Sequence, residues 1–370
     1  PSRAALLTGP NPISNSPNNL CPESRNGIPL EENTLADVLK SNCYKSMAKG
    51  KWHLGHMPEY LPTSRGFDSF YGLPYSNDMI LPWCPWLTEE DRLFLYEDSL
   101  AVKEIGYDQD ELTVDYTNRA IEFIQSHRDG PFFLYLAHSM PHLPISAPEE
   151  FRGKSRAGLY GDVIETMDWS MGKILSTLKE SGIDDNTIVI FTSDNGPWQN
   201  LPDRMLQKGV EKTHSGSAGL LRGAKATTYE GGFRVPAIIR WPHRIPAGSI
   251  SSEQVSTMDL FATLVEIAGA DLPRDRTIDG TNILPLLKAE GQISPPPFFY
   301  CQGVRLQAIR KGKWKLRYTR DSGFELFDLD LDPGEMFNLA EEDPELVSEF
   351  VEEMQLFSEE TGATFELHEN

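Results

Sequence analysis

Two continuous apolar stretches of the chain predict buried strands. The stretches from Phe132 to Ala137 and from Thr187 to Phe191 have no polar face to present to water. The second predicts a central parallel strand that is covered on both sides. Polar residues follow each stretch, with His138 after the first and Asp194 after the second. Because ligands of open α/β sheets gather at the carboxyl ends of the strands, these two strand ends are candidates for a functional site.

Helical periodicity separates these strands and predicts the fold class. Apolar residues keep one helix face in 111–127 and 157–182, and 258–268 is apolar on nearly every side. Shorter helices are predicted at 4–8 and 31–39, and shorter strands at 44–49 and 235–240. The pattern predicts an α/β fold with a large, mostly parallel sheet flanked by helices. Residues 57–110 show little periodicity, and we expect them to form the loops of a substrate pocket.

A different pattern follows the three prolines at 295–297. Four short segments between 298 and 328 alternate apolar and polar residues and predict an antiparallel sheet, and 344–357 predicts a helix on that sheet. We therefore divide the chain into a large α/β domain, residues 1–290, and a smaller C-terminal α+β subdomain, residues 291–370.

The charge of the chain limits its partners. A formal net charge of -21 over 370 residues repels polyanions and argues against nucleic acid as a partner. A small anionic substrate would need a local cluster of cations. No apolar run is long enough to span a bilayer. Pairing of the four cysteines is left open, since Cys21, Cys43, Cys84 and Cys301 show no CxxC spacing.

Six residues near the predicted strand ends form a chemically coherent set. Each also has an ordinary structural interpretation, since Asp-Asn-Gly forms turns and lysines are common on surfaces. Together they offer oxygen donors for a divalent cation, two imidazoles for proton transfer and two ammonium groups for an anion. This combination suits hydrolysis of a sulfate or phosphate ester. The residues are Lys51, His53, His142, Asp194, Asn195 and Lys225.

Several motifs in order resemble those of the sulfatase family of the alkaline-phosphatase superfamily. Pro1 to Gly9 resembles the end of the signature Cys-x-Pro-Ser-Arg, with its small apolar run and Thr-Gly, and Gly50 to Gly55 resembles the second signature. The resemblance continues at His142, at 193–196 and at 223–232, and 72–76 is most similar to the arylsulfatase A type. It implies a sulfuric ester hydrolase that uses calcium or magnesium and a formylglycine made from the signature cysteine.

The resemblance implies roles for three residues around the formylglycine. Arg3 would support the formylglycine. Lys51 would hold both the formylglycine and a sulfate oxygen. His53 would act as the base that takes a proton from the second hydroxyl of the formylglycine hydrate.

Five further residues would bind the substrate and the metal. His142 and Lys225 would bind sulfate and help the alcohol to leave, and Ser76 would lie in the substrate pocket. Asp194 and Asn195 would bind the calcium or magnesium. The implied partners are a small sulfate ester and a formylglycine-generating enzyme, and the implied location is the secretory pathway, the lysosome, the extracellular space or the periplasm.

Other interpretations stay open at this point. The ester could be a sulfolipid, a carbohydrate sulfate or a phenol sulfate. A phosphomonoesterase or phosphodiesterase of the same superfamily would use serine or threonine as nucleophile, and Pro1-Ser2-Arg3 argues against it. A non-catalytic binding homologue is the second alternative, and the retained lysines and histidines argue against that one.

The signature cysteine would lie two residues before Pro1, and the family's paired aspartates that complete the metal site would lie further upstream. We therefore predict that the 370-residue chain by itself releases no sulfate from an ester, although the intact protein is an enzyme. A sulfate-release assay on this chain checks the expectation, and measurable release would contradict it.

Overall fold

The computed structural model describes residues 1–15, 20–81, 83–89, 91–199, 201–206 and 209–367. Within them the helices are α1 (Ser2–Thr8), α2 (Pro12–Asn15), α3 (Leu35–Lys40), α4 (Leu112–Ser126), α5 (Gly158–Glu180), α6 (Glu230–Phe233), α7 (Thr257–Ile267), α8 (Leu284–Leu287) and α9 (Pro344–Thr361). The strands are β1 (Lys45–Lys51), β2 (Ser69–Leu73), β3 (Phe94–Glu97), β4 (Leu100–Glu104), β5 (Phe132–Ala137), β6 (Val189–Thr192), β7 (Ala237–Arg240), β8 (Phe298–Gln302), β9 (Arg305–Lys311), β10 (Trp314–Thr319) and β11 (Gly323–Asp328). No described helix is both long and apolar enough to cross a membrane.

The central sheet confirms the α/β class and is mixed. Its five strands lie in the order β4-β3-β2-β1-β5. Strand β1 pairs in parallel with β2 and β5, whereas β3 pairs antiparallel with β2 and β4. The parallel part is therefore smaller than the sequence predicts. Three of these strands, β2, β3 and β4, lie in 57–110, where the sequence predicts loops. The prediction missed them because they are only four or five residues long and β4 is exposed along its whole length.

Alternating side chains of β5 explain why helices cover both faces of this sheet. Phe133 and Tyr135 pack against the cluster formed with α1, α3 and α7. Phe132, Leu134 and Leu136 pack against the cluster formed with α4 and α5. Successive side chains of a strand point to opposite faces, so a strand that is apolar at every position is covered on both sides. The predicted strand Phe132–Ala137 is confirmed.

The second apolar stretch forms a strand, but the prediction that this strand is central, parallel and covered on both sides was wrong. The strand exists as β6, but its only described partner is β7, which is antiparallel. The side chain of Phe191 is 40% exposed. Residues of β6 also line a cleft together with residues of β5, so the strand is not covered on both sides. Apolar composition shows that a strand can be buried, but it does not identify the strand's neighbours.

The C-terminal sheet has the predicted antiparallel order, β11-β10-β9-β8. Helix α9 packs on one face, where Phe350 and Met354 join Leu316 and Leu326 in an apolar cluster. The rings of Phe299 and Phe357 stack with centroids 3.9 Å apart. The division of the chain at residue 290 remains a prediction. All four cysteines are free in the structure.

Gly50 joins the central sheet to the candidate site. Its φ of 90° is one that residues with a side chain rarely adopt, and a Cβ atom there would lie 1.9 Å from the carbonyl oxygen of Ala137. Strands β1 and β5 therefore approach closely just before Lys51. A side chain at this position would push apart the two strand ends that carry candidate residues.

We predict that Gly50→Ala lowers the free energy of unfolding by at least about 2 kcal/mol, from backbone strain and steric overlap. Gly172 in α5 is the matched control, because a Cβ there meets nothing within 4 Å. Gly172→Ala should raise the free energy of unfolding by about 0.5–1 kcal/mol, since alanine favours a helix. Urea unfolding of both variants measures the difference, and equal effects would contradict this account.

Candidate active site

Arg3 joins three parts of the fold at the candidate site. Its guanidinium lies 2.9 Å from Asp194 Oδ2 in an ion pair, and its Nε donates a hydrogen bond to the same oxygen. Its Nη1 donates to the carbonyl oxygen of Lys51, at the end of β1, and to the hydroxyl of Tyr135 in β5. The structure therefore brings together Arg3, Lys51 and Asp194, which are distant in the sequence.

Asp194 carries the negative charge of this cluster. Burial opposes ionisation of its carboxyl group, but the positive charges of Arg3, Lys51 and Lys225 outweigh burial and hold the pKa of Asp194 well below its usual range. Asn195 donates a hydrogen bond from its side-chain amide to Asp194 Oδ1. The predicted pair of metal ligands is therefore in contact, and its carboxylate is ionised at neutral pH.

The oxygen atoms of Asp194 and Asn195 fit the chemistry of calcium or magnesium. Such ions take about six to eight oxygen ligands, more than two side chains supply. In the described part of the chain no group of three or more His, Cys, Asp or Glu side chains is placed to hold a metal. These two residues therefore fit one part of a metal shell.

Four predicted residues form a continuous chain of hydrogen bonds. Lys51 Nζ donates to Ser76 Oγ at 3.2 Å, and Ser76 Oγ lies 3.4 Å from His142 Nδ1. Lys225 Nζ lies 3.1 Å from His142 Nε2. The two ammonium groups thus stand at either end of a hydroxyl and an imidazole, an arrangement that can bind an anion and move a proton.

The hydrogen bonds of His142 indicate its protonation state. The carbonyl oxygen of Leu143, 2.7 Å from His142 Nδ1, can only accept, so Nδ1 carries the hydrogen. Burial and then the charges of Lys51 and Lys225 hold the pKa of His142 well below its usual value. The ring is therefore neutral at neutral pH, and its Nε2 accepts a hydrogen bond from the Lys225 ammonium.

Lys51 is a cation that can lose its proton near neutral pH. Its side chain is buried, and burial followed by the positive charge of Arg3 lowers its pKa to about 7. Burial also lowers the pKa of Lys225. Because of their burial and closeness the two lysines hold their protons more weakly, and an anion between them would reverse that effect.

His53 lies just beyond the strand that ends at Lys51. Strand β1 ends at Lys51, and His53 has a φ of 57°. Its Nε2 donates a hydrogen bond to the carbonyl oxygen of Leu20 at 2.9 Å. Burial and then the charge of Lys51 hold its pKa well below the usual value, so the two groups still interact. The role of His53 as a base stays a prediction.

Sequence reasoning missed two residues at this site. The ring of Trp198 lies 5.9 Å from that of His142, and Lys225 Nζ lies 5.2 Å from the Trp198 ring centroid. Asp78 is buried, with Oδ1 4.0 Å from His142 Nδ1. The only sequence signal was position, since Trp198 follows Asn195 by three residues and Asp78 follows Ser76 by two.

A cleft of about 1550 Å³ opens beside the cluster. Arg3, Lys51, His142, Asp194 and Lys225 are among its lining residues, together with all of β5 and β6. Positive charge is therefore concentrated in a partly apolar cleft, where low polarity strengthens its attraction for an anion.

The chain belongs to the sulfatase family. The family model "Sulfatase" matches residues 1–270, and the model "N-sulphoglucosamine sulphohydrolase, C-terminal" matches residues 224–360. The resemblance of the motifs is therefore confirmed at the level of the family.

Individual relatives support this assignment. The chain is 40% identical over 333 residues to N-acetylgalactosamine-6-sulfatase of Mus musculus, which covers 85% of this chain and 62% of the relative. It is 35% identical to arylsulfatase A of Bos taurus, over 94% of this chain and 75% of the relative. The crystal structure of Ps i-CgsB in complex with k-i-k-neocarrahexaose has a TM-score of 0.82 and 29% identity, covering 100% of this chain and 84% of that one. The chain spans 62–66% of the length of the N-acetylgalactosamine-6-sulfatases it matches.

We predict that the affinity of the site for inorganic sulfate falls as the pH rises above about 7, where Lys51 loses its proton. Below that pH Lys51 is charged and contributes fully, and above it the decrease should be at most about tenfold per pH unit for this one group. Isothermal titration calorimetry from pH 6 to pH 9 measures the profile. Lys51→Arg keeps the charge at every pH, so it should flatten the profile; identical profiles for both proteins would contradict the assignment to Lys51.

Proposed function

We propose that the protein is a sulfatase, which hydrolyses a sulfate ester to an alcohol and inorganic sulfate. The observation that carries the proposal is the chain of contacts from Lys51 through Ser76 and His142 to Lys225. It places two ammonium groups and a neutral imidazole beside a carboxylate that can bind a metal. Such preorganised charge stabilises the oxygens of a transferring sulfuryl group.

The residues of this chain divide the work between binding and proton transfer. Lys51 and Lys225 bind sulfate oxygens, and Ser76 holds the Lys51 ammonium in place. Lys225 Nζ donates a hydrogen bond to His142 Nε2, so the proton between these two atoms can pass to the departing alcohol oxygen. His53 would act as the base that takes a proton from the second hydroxyl of the formylglycine hydrate.

Two groups would complete the site. Asp194 and Asn195 would hold calcium or magnesium, with the paired aspartates expected ahead of Pro1 as further ligands. Arg3 and Lys51 would hold the formylglycine. When present, the metal supplies positive charge for the sulfate oxygens and the formylglycine hydrate supplies the nucleophilic hydroxyl.

We infer that the alcohol part of the ester is a sugar. Relatives at 38–40% identity are named N-acetylgalactosamine-6-sulfatases, and the Ps i-CgsB structure contains an oligosaccharide. Trp198 adds a partly exposed aromatic ring at the cleft beside His142, and aromatic rings suit the apolar face of a sugar. Location in the secretory pathway, lysosome or periplasm stays a prediction, as does maturation by a formylglycine-generating enzyme.

The test uses the full-length protein, produced together with a formylglycine-generating enzyme. We expect it to hydrolyse an aryl sulfate much faster than the matching aryl phosphate, and to release sulfate from N-acetylgalactosamine 6-sulfate. Removing the proton-transfer pair by His142→Ala or Lys225→Ala should lower kcat/KM by about 10²–10⁴-fold. Lys179→Ala on the exposed side of α5 should leave it unchanged.

Three results would contradict parts of this proposal. Preference for the phosphate would indicate a phosphatase of the same superfamily. Sulfate binding without hydrolysis by the matured protein would indicate a binding homologue. Hydrolysis of phenol sulfates but of no sulfated sugar would reject the substrate class and leave the sulfatase activity intact.

A further inference from the structure

The segment that carries Lys225 rests on the C-terminal sheet. Side chains of β10 alternate between the two faces of this sheet, and Leu316 packs with α9. Lys315 and Arg317 point to the opposite face and contact residues 228–230. One face of the sheet is therefore an apolar core, and the other is a polar support for the segment that follows Lys225.

A buried charge cluster forms the centre of this support. Lys315 Nζ lies 2.9 Å from Glu230 Oε1 and 2.8 Å from Glu335 Oε1, and all three side chains are at most 1% exposed. Glu335 Oε2 also accepts the backbone N–H of Glu230 at 2.7 Å. Burial opposes charge on Glu230, but Lys315 and then Arg310 outweigh it and lower its pKa. The start of α6 is thereby fixed to the sheet through the Glu230 side chain, and to the segment that follows β11 through the Glu230 backbone.

Further contacts hold the residues between this cluster and Lys225. Arg317 Nε donates to Thr228 Oγ1 at 3.1 Å, and its Nη1 donates to the Tyr229 hydroxyl at 3.0 Å. Gln302 Nε2 donates to the carbonyl oxygen of Ala226 at 2.7 Å. Ala226 has a φ of 71°, a strained conformation for a residue with a side chain. Residues 226 and 228–230 are thus each bonded to the C-terminal sheet.

The energetics of these buried ion pairs favour a role in positioning the segment that follows Lys225 rather than in stabilising the fold. A buried ion pair adds little stability, because the loss of hydration offsets much of the attraction between the charges. It does fix geometry, since breaking one partner leaves an unpaired buried charge. Lys225 lies on a loop, where its backbone N–H donates to the carbonyl oxygen of Pro197 at 2.8 Å, while Lys51 ends a strand of the central sheet.

We propose that Lys315 and Arg317 are positioning residues, which act through Glu230 and Tyr229 to hold the Lys225 ammonium within hydrogen-bonding distance of His142. The proposal rests on the proposed function only in assigning sulfate binding to Lys225. Neither residue is among those that line the cleft beside Lys225. The C-terminal sheet is in this way a working part of the anion site.

The test compares Lys315→Met with Lys311→Met. Lys311 lies in the same sheet and pairs with Glu349 and Glu353 of α9, so the control removes ion pairs of that sheet without touching the Lys225 segment. We expect Lys315→Met to weaken inorganic sulfate binding at least about tenfold, and Lys311→Met to change it less than about twofold. Titration calorimetry is done where circular dichroism shows each variant to be folded.

A second readout follows the contact itself. The ¹⁵N resonance of His142 Nε2 reports the hydrogen bond from Lys225 without any sulfate, so it tests the positioning even if the wild-type protein binds no sulfate. Failure of wild-type binding would count against the proposed function alone. We expect Lys315→Met to shift this resonance toward that of Lys225→Ala, and Lys311→Met to leave it in place.

A milder variant covers the case in which Lys315→Met does not fold. Gln302 is exposed, and Gln302→Ala removes its bond to Ala226, so we expect about a threefold loss of sulfate affinity and a smaller shift of the His142 resonance. Gln355→Ala on the exposed side of α9 is its matched control. The proposal would be overturned if Lys315→Met and Gln302→Ala, where folded, bind inorganic sulfate with wild-type affinity and leave the His142 resonance unchanged.

Discussion

The ion pair between Arg3 and Asp194 is the interaction on which the site depends. Partial burial favours the neutral form of a carboxyl group, yet Asp194 stays ionised because Arg3 contacts it directly and two lysines lie near. The same guanidinium bonds to the last residue of β1 and to a side chain of β5. One side chain therefore sets both the charge of the carboxylate and the relative position of three chain segments. The chain Lys51–Ser76–His142–Lys225 lies beside this fixed point.

The charges at the site explain how an acidic protein can bind an anion. The whole chain carries a formal charge of -21, but at the site three cations, Arg3, Lys51 and Lys225, lie near two carboxylates, Asp194 and Asp78. Burial, followed by the positive charges of Arg3 and Lys225, lowers the pKa of Lys51 to about 7. A sulfate group between the lysines would replace repulsion with attraction and restore their full charge. The affinity for sulfate and the protonation of the two lysines are therefore linked, because both depend on the same local electric field.

Local patterns in the sequence predicted many elements of the fold, whereas features that depend on neighbouring segments were missed. Alternation located β8 to β11, and the end of a buried strand pointed to His142 and Asp194. The sequence did not predict strands β2 to β4, because they are short and β4 is exposed on both faces. The exposed edge of β6 and the left-handed backbone of His53 could not be read from composition, since both depend on which segments lie beside them. Ser76 entered only through the family resemblance.

The two parts of the chain differ in how they fix a side chain. A strand end is held by the hydrogen bonds of its sheet, so the pairing of β1 with β2 and β5 fixes the backbone that leads to Lys51. Lys225 follows a left-handed Gly223 and precedes a left-handed Ala226, and such a loop does not define a side-chain position by itself. Placement within 3.1 Å of His142 therefore requires contacts from outside the loop. The carbonyl oxygen of Pro197 supplies one of them to Lys225, and the polar face of β10 supplies others to residues 228–230, which makes the C-terminal sheet and the central sheet joint supports of one site.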